Sequence, residues 1–217
     1  MADGFDSRAA ITRSMLGWGV VAGPFYLVFG LILALTREGF DLSAHALSLL
    51  TLGEGGWPQT LNFALTGIMV VVAGWGMLRA IQGRGRGAGG AIIVAGVAIG
   101  LAGVFRPDPV EGFPPGAEAS MSVSGMLHLA LGAAEFVAFA VAALLLARHF
   151  SACEEKRRAM LSRVVGLIIV VAFAAGAALS SGPAGVALLW LAVVGSFAWL
   201  ALASVWAYRT VPHPDGR

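Results

Sequence analysis

Charge is what this chain has least of. Asp, Glu, Lys and Arg make up 12% of its 217 residues, while 58% are hydrophobic; an average soluble domain is roughly 25% charged. An ordinary water-soluble fold is excluded by that balance. Cysteine is scarcer still: Cys153 stands alone, so no structural disulfide can form within the chain, and nothing nearby marks it as a reactive thiol. Long polar stretches are missing, and neither tail offers room for a soluble domain. There is no HExxH or CxxC metal motif and no GxSxG elbow. No internal duplication suggests inverted repeats, which weighs against a transporter.

What the chain does have is apolar runs of the length, about 18 residues or more, that crosses a bilayer. They fall at approximately 14–35, 57–78, 87–105, 122–147, 164–181 and 184–208. The expected fold is an all-α bundle of six transmembrane helices, with residues 1–217 forming one integral membrane domain. The first run is too long for a signal-peptide core and lacks a small-residue cleavage site after it, so it reads as a retained helix.

Lys and Arg in short loops stay on the cytoplasmic side. With the N-terminus inside, inner segments hold Arg8, Arg13, Arg79, Arg84, Arg86, Arg148, Lys156, Arg157, Arg158, Arg163, Arg209 and Arg217; outer segments hold only Arg37 and Arg106. Both termini are therefore expected in the cytoplasm, and the protein in the cell inner (plasma) membrane. The net charge of +2 reports topology and gives no sign of nucleic-acid binding. The basic residues from Lys156 to Arg163 could touch anionic lipid heads, but they read first as the positive-inside signal itself.

Glycines four apart, Gly19 with Gly23 and Gly96 with Gly100, are a packing signal in lipid. Trp57 toward the outer side, and Trp18, Trp75, Trp206 and Tyr208 toward the inner side, fit interfacial belts. "GRGRGAGG" after Gln82 reads as a flexible, basic inner turn and "SGPAG" from Ser181 as a tight outer one. The other outer connections, residues 37–56 and 106–121, are longer and hold most of the unusual polar residues, so external function would live there. Within the first, "DLSAHALSLLTLG" reads as a short amphipathic helix, capped by Asp41 or Ser43 and ending before Gly53. Spacings of four and three put Asp41, His45 and Ser48 on one face of it.

In the fourth run, "GMLHLALGAAEF" puts His128 and Glu135 seven apart, two turns from each other on one helical face. Glu135 lies near the middle of the run, where an ionised carboxylate costs about 2.5–3.5 kcal/mol unless partnered. Its carboxyl is expected protonated and hydrogen-bonded to a hydroxyl or amide neighbour such as Asn62; the alternative is a proton acceptor or ligand anchor at the floor of an outward-facing cavity. His149 and His213 belong to inner segments and cannot join this outer set.

Asp41, His45, Ser48, Asn62, Arg106, Asp108, His128 and Glu135 thus come from segments placed on one side of the membrane. A zinc site could draw on Asp41, His45, Asp108 and His128. A nucleophilic arrangement could use Ser48, His128 and Asp108. A third reading is a pocket for a lipid or other apolar small molecule, with mostly apolar walls and a few convergent polar groups. A fourth is packing, or contact with a membrane-protein partner or a second copy. In "GVFRPDPVEGFPP", Pro107 and Pro109 end the third helix, and Arg106 is expected to pair with Asp108, Asp41 or Glu54 and lock the loop.

Three stretches resemble a known family: "SLLTLGEGGWPQTLNFALTG" leading into the second helix, "GVFRPDP", and "SGMLHLALGA" opening a helix. They are similar to elements of the bacterial and archaeal membrane family catalogued as domain of unknown function 998. The resemblance runs from the first helix to the sixth and implies a six-helix membrane fold. It singles out Ser48, Trp57, Asn62, Gly67, Asp108, Gly125 and His128, and it implies no activity. Arg-Pro-Asp stands here where that family has Pro-x-Asp. Noncatalytic binding of a lipid-like molecule, or an accessory role in a membrane complex, is the preferred expectation; an intramembrane hydrolase, zinc-dependent or not, acting on an outer-leaflet substrate is the alternative.

Overall fold

The computed structural model describes residues 5–179 and 182–215. Among these, six helices are long and apolar enough to cross a membrane: α1 Ser7–Thr36, α2 Trp57–Ala80, α3 Gly87–Ala102, α4 Val123–Ala152, α5 Lys156–Ala178 and α6 Pro183–Tyr208. No strand occurs among the described residues, which contain one isolated bridge, Val110 with Phe113. The first residue of the expected "SGPAG" turn, the end of the fifth run at 181, and Arg217 lie outside the described residues.

Hydropathy finds the part of a helix that lies in lipid; caps find its ends. α1 begins well before its apolar run because Asp6 accepts hydrogen bonds from the backbone N–H groups of Arg8 (2.9 Å) and Ala9 (3.0 Å). Pro58 and Pro183 sit in the first turns of α2 and α6, where a missing N–H costs nothing. α3 stops three residues short of the expected boundary, at Ala102, for a reason that belongs to the site below.

Each helix packs on its neighbour in sequence, and α6 closes back on α1, so the helices form a ring. The α1–α6 seam uses the expected glycines: a Cβ on Gly19 would strike Ser204, and one on Gly23 would come within 2.6 Å of Phe197 Cβ. The tightest seam joins α2 to α3. There Gly67 faces Gly96 and Gly74 faces Gly89, backbone against backbone, so that a Cβ on Gly67 would lie 2.7 Å from the Gly96 carbonyl oxygen. Large apolar side chains such as Ile32, Ile68, Val94, Leu167 and Val171 are exposed, while Ala88, Ala95, Ala143 and Ala203 are buried. That inversion suits lipid, where close backbone approach replaces the hydrophobic drive.

The termini meet on one side: Asp6 N–H donates to the Pro214 carbonyl (2.9 Å) and Arg13 to that of Val211 (2.7 Å). We call the opposite side distal. It carries the loops after α1 and α3, which pack together into a cap. Phe113, fully buried, meets Phe40 edge-on at 5.1 Å and His45 at 5.3 Å, with the Arg37 guanidinium 5.9 Å from its ring centre. The short helix expected in the first of these loops is a 3₁₀ helix, Leu47–Thr51, preceded by a turn from Asp41 to His45. The two segments do not form a common face.

Candidate functional site

Beneath the cap, the helix ring encloses a cavity of about 450 Å³, within the usual range for small-molecule sites. α4 contributes a stripe of residues three or four apart: Gly125, His128, Leu129, Gly132, Glu135 and Phe136. From Val123 down to Glu135 the helix descends about 18 Å at 1.5 Å per residue, so the stripe runs from the distal surface to the middle of the span. Leu129 is 55% exposed although it lines the cavity, which makes the cavity open to its surroundings. The remaining wall comes from α1, α2, α3, α5 and α6 and is chiefly apolar and aromatic.

Four of the eight expected site residues line this space: Ser48, Asp108, His128 and Glu135. The other four serve elsewhere. Asp41 is exposed, and its Oδ1 accepts from the backbone N–H (2.8 Å) and hydroxyl (2.7 Å) of Ser43. Those donors, the hydroxyl foremost, hold the Asp41 carboxyl below its ordinary range. His45 is buried and accepts from the Asp41 N–H at Nδ1 (2.8 Å), while Nε2 lies 3.2 Å from the Glu111 carbonyl. A carbonyl only accepts, so this network assigns the proton to Nε2, and both ring nitrogens are engaged.

Asn62 does not partner Glu135. Its amide nitrogen donates to the Tyr26 carbonyl and to Gln59 Oε1, both at 3.1 Å, and its oxygen accepts from Thr66 (3.4 Å). It ties α2 to α1. Arg106 is exposed and forms no ion pair; among the described residues the salt bridges are Arg158 with Glu155 and His213 with Asp215. The expected arginine lock exists, but Arg37 makes it. Its guanidinium donates to the Leu52 carbonyl (2.5 Å) and fills the space that side chains on Gly53 and Gly55 would occupy.

Asp108 and His128 join the end of α3 to the start of α4. Both Asp108 carboxylate oxygens lie 3.1 Å from the Ser122 N–H at the N-terminus of α4, where the helix dipole favours negative charge. A Cβ on Gly125 would overlap that carboxylate. His128 Nδ1 lies 2.9 Å from the Ala102 carbonyl and 2.8 Å from that of Phe105, so it carries the proton. These are carbonyls that the end of a helix leaves unpaired, and their capture from α4 ends α3 early. The Ser124 hydroxyl adds a bond to the Arg106 carbonyl (2.9 Å).

These bonds bear on the chemistry. Asp108 faces a backbone N–H and His128 Nδ1 faces backbone carbonyls, so the two do not form the carboxylate–imidazole relay that a Ser48 nucleophile would need. The zinc set is not assembled either: His45 has no free nitrogen, Asp41 lies outside the cavity, and no group of three or more His, Cys, Asp or Glu among the described residues could hold a metal ion.

Residues 20–206 match the model of a family described as a protein of unknown function, DUF998. The chain belongs to this family. No curated protein and no solved structure matches it. The resemblance seen in three stretches of the DUF998 chain acquires a physical meaning here. "SLLTLGEGGWP" builds the 3₁₀ helix and the Arg37 seat, while "FRPDP" and "SGMLH" are the two halves of the α3–α4 staple. All three shape the mouth of the cavity.

Several residues that shape the site carried no signal in the sequence. Tyr26, Phe63, Phe136, Phe173, Trp190 and Phe197 line the cavity, but an aromatic residue within an apolar run looks the same whether it faces lipid, core or ligand. Glu135 is 8% exposed, and no hydrogen bond or ion pair engages its carboxyl among the described residues.

Proposed function

We propose that this integral membrane protein binds a lipid-like or other apolar small molecule in the distal cavity, without catalysis. The observation that carries this reading is a cavity of about 450 Å³ whose walls are chiefly hydrocarbon and aromatic and whose deepest polar group is the unpartnered Glu135. Pockets with that balance of surfaces are the usual form of small-molecule sites. Native mass spectrometry of gently purified protein tests it. A retained mass of lipid size is expected in the wild type and should be lost in Gly132→Phe, which puts a ring into the cavity. No adduct in the wild type, or equal retention in both, would sink the reading. Stoichiometric zinc on the same sample, lost in His128→Ala, would favour the hydrolase instead.

The distribution of Lys and Arg supports an orientation with both termini in the cytoplasm and the cavity open to the outside. Ser43 and Cys153 are both exposed and lie at opposite ends of the bundle, which supplies an internal control. In intact cells, an impermeant maleimide is expected to label Ser43→Cys, with Cys153 labelled only after lysis. The reverse order would invert the topology.

A further inference from the structure

Resting on the reading of the cavity as an apolar ligand site, we infer that its ligand is a lipophilic cation, held by the Glu135 carboxylate among aromatic faces. Three observations converge on that class.

The first is the sign of the lining. Among the described residues that line the cavity there is no Lys or Arg; the ionisable side chains are Tyr26, Asp108, His128 and Glu135. Arg37 and Arg106 are not among the lining residues, and Arg37 is committed to the Leu52 carbonyl. An anionic head entering this space would meet no counter-charge.

The second is Glu135 itself. It is more than nine-tenths buried, lines the cavity and has no hydrogen-bond or ion-pair partner among the described residues. Asn62, the partner its sequence position suggested, donates instead to Gln59 and the Tyr26 carbonyl. A buried carboxyl without a partner in the protein is complete when a ligand brings one.

The third is the aromatic wall. Tyr26 lies 5.6 Å from Phe63 and 5.5 Å from Phe197, and Phe136 stacks on Phe173 at 4.7 Å; Trp190 lines the same cavity. Aromatic faces in a cavity whose charged lining is acidic are the arrangement that recognises organic cations, through ring quadrupoles together with carboxylate charge. Aliphatic walls would have served a neutral lipid equally well.

Tetraphenylphosphonium and tetraphenylborate, alike in shape and opposite in charge, separate these terms. Equilibrium dialysis on detergent-purified full-length protein, run with each ion separately because the two precipitate together, is expected to show saturable binding of the phosphonium at one per chain and none of the borate. Glu135→Gln should weaken that binding by about tenfold or more, the equivalent of 1.4 kcal/mol, while Glu135→Asp, which keeps the charge, should retain most of it. Circular dichroism and gel filtration confirm that each variant is folded. If Glu135→Gln does not fold, the separate borate measurement and Glu135→Asp still decide. Saturable borate binding of equal strength, undiminished binding in Glu135→Gln, or loss in a folded Glu135→Asp would each overturn the inference. A lipid-sized mass retained in native spectra from protein that ignores the phosphonium would overturn the cation inference and leave the apolar pocket standing. Neither mass nor phosphonium binding would remove both.

Discussion

Gly67→Leu is expected to destabilise the bundle by about 3 kcal/mol or more, at or beyond the upper end for overpacking a filled interior. A Cβ at this position already falls 2.7 Å from the Gly96 carbonyl oxygen and 2.9 Å from the Gly100 nitrogen. Both are main-chain atoms that cannot swing aside, so α2 and α3 must separate. The loss would extend along the seam, because Gly74 and Gly89 repeat the same contact one heptad away, with a Cβ on Gly89 coming 2.7 Å from the Gly74 carbonyl. Thermal unfolding followed by gel filtration should show a midpoint roughly 6 to 12 °C lower, from the usual 2–4 °C per kcal/mol for chains of this size. Gly100→Ala is the control: a Cβ there meets nothing within 4 Å, so no destabilisation is expected, and replacing a glycine inside a helix should if anything stabilise, by up to about 1 kcal/mol. A wild-type midpoint in Gly67→Leu would mean the two helices are not packed as described.

Phe113→Ala should cost about 3–5 kcal/mol, the range for deleting a buried phenyl ring, and should open the cap. Phe113 is 0% exposed and is the point where the two long distal loops meet: Phe40, His45 and Arg37 of the first loop all bear on its ring. The helices do not depend on that ring, so much of the cost is expected as local opening and less as global unfolding. Hydrogen exchange should accelerate across residues 37–53 with little change in α2, α3 and α6. Met121→Ala, at a position 86% exposed near the cavity mouth, should leave exchange in the cap untouched. Unchanged protection of residues 37–53 in Phe113→Ala would show that the loops are held by something else.

The distal loops are also where sequence reasoning lost accuracy. Spacing within "DLSAHALSLLTLG" implied one helix presenting Asp41, His45 and Ser48 together. In the fold, His45 is drawn to the Glu111 carbonyl and the Phe113 ring, both on the other loop, and a local periodicity holds no information about such a partner. The expected Arg106 ion pair failed for a related reason. Proximity in sequence to Asp108 suggested it, but Asp108 is held by the Ser122 N–H at the start of α4, and the arginine that locks the loops is Arg37.

The six spans, by contrast, were legible from the chain alone, because about 20 residues of hydrocarbon are a physical requirement for crossing a bilayer and this composition leaves little else. His128 and Glu135 were readable as one face of α4, since helical geometry fixes the relation of residues seven apart. Which face of each helix turns inward was not, because helices apolar on every side give no amphipathic signal and lipid is as good a solvent for Leu as a protein core. Tertiary structure alone decided that the ring closes around a cavity, that Asn62 is spent on α1, and that Glu135 is left without a partner. Those outcomes depend on where main-chain carbonyls and aromatic rings from distant segments come to lie, and only packing of the whole chain sets those positions.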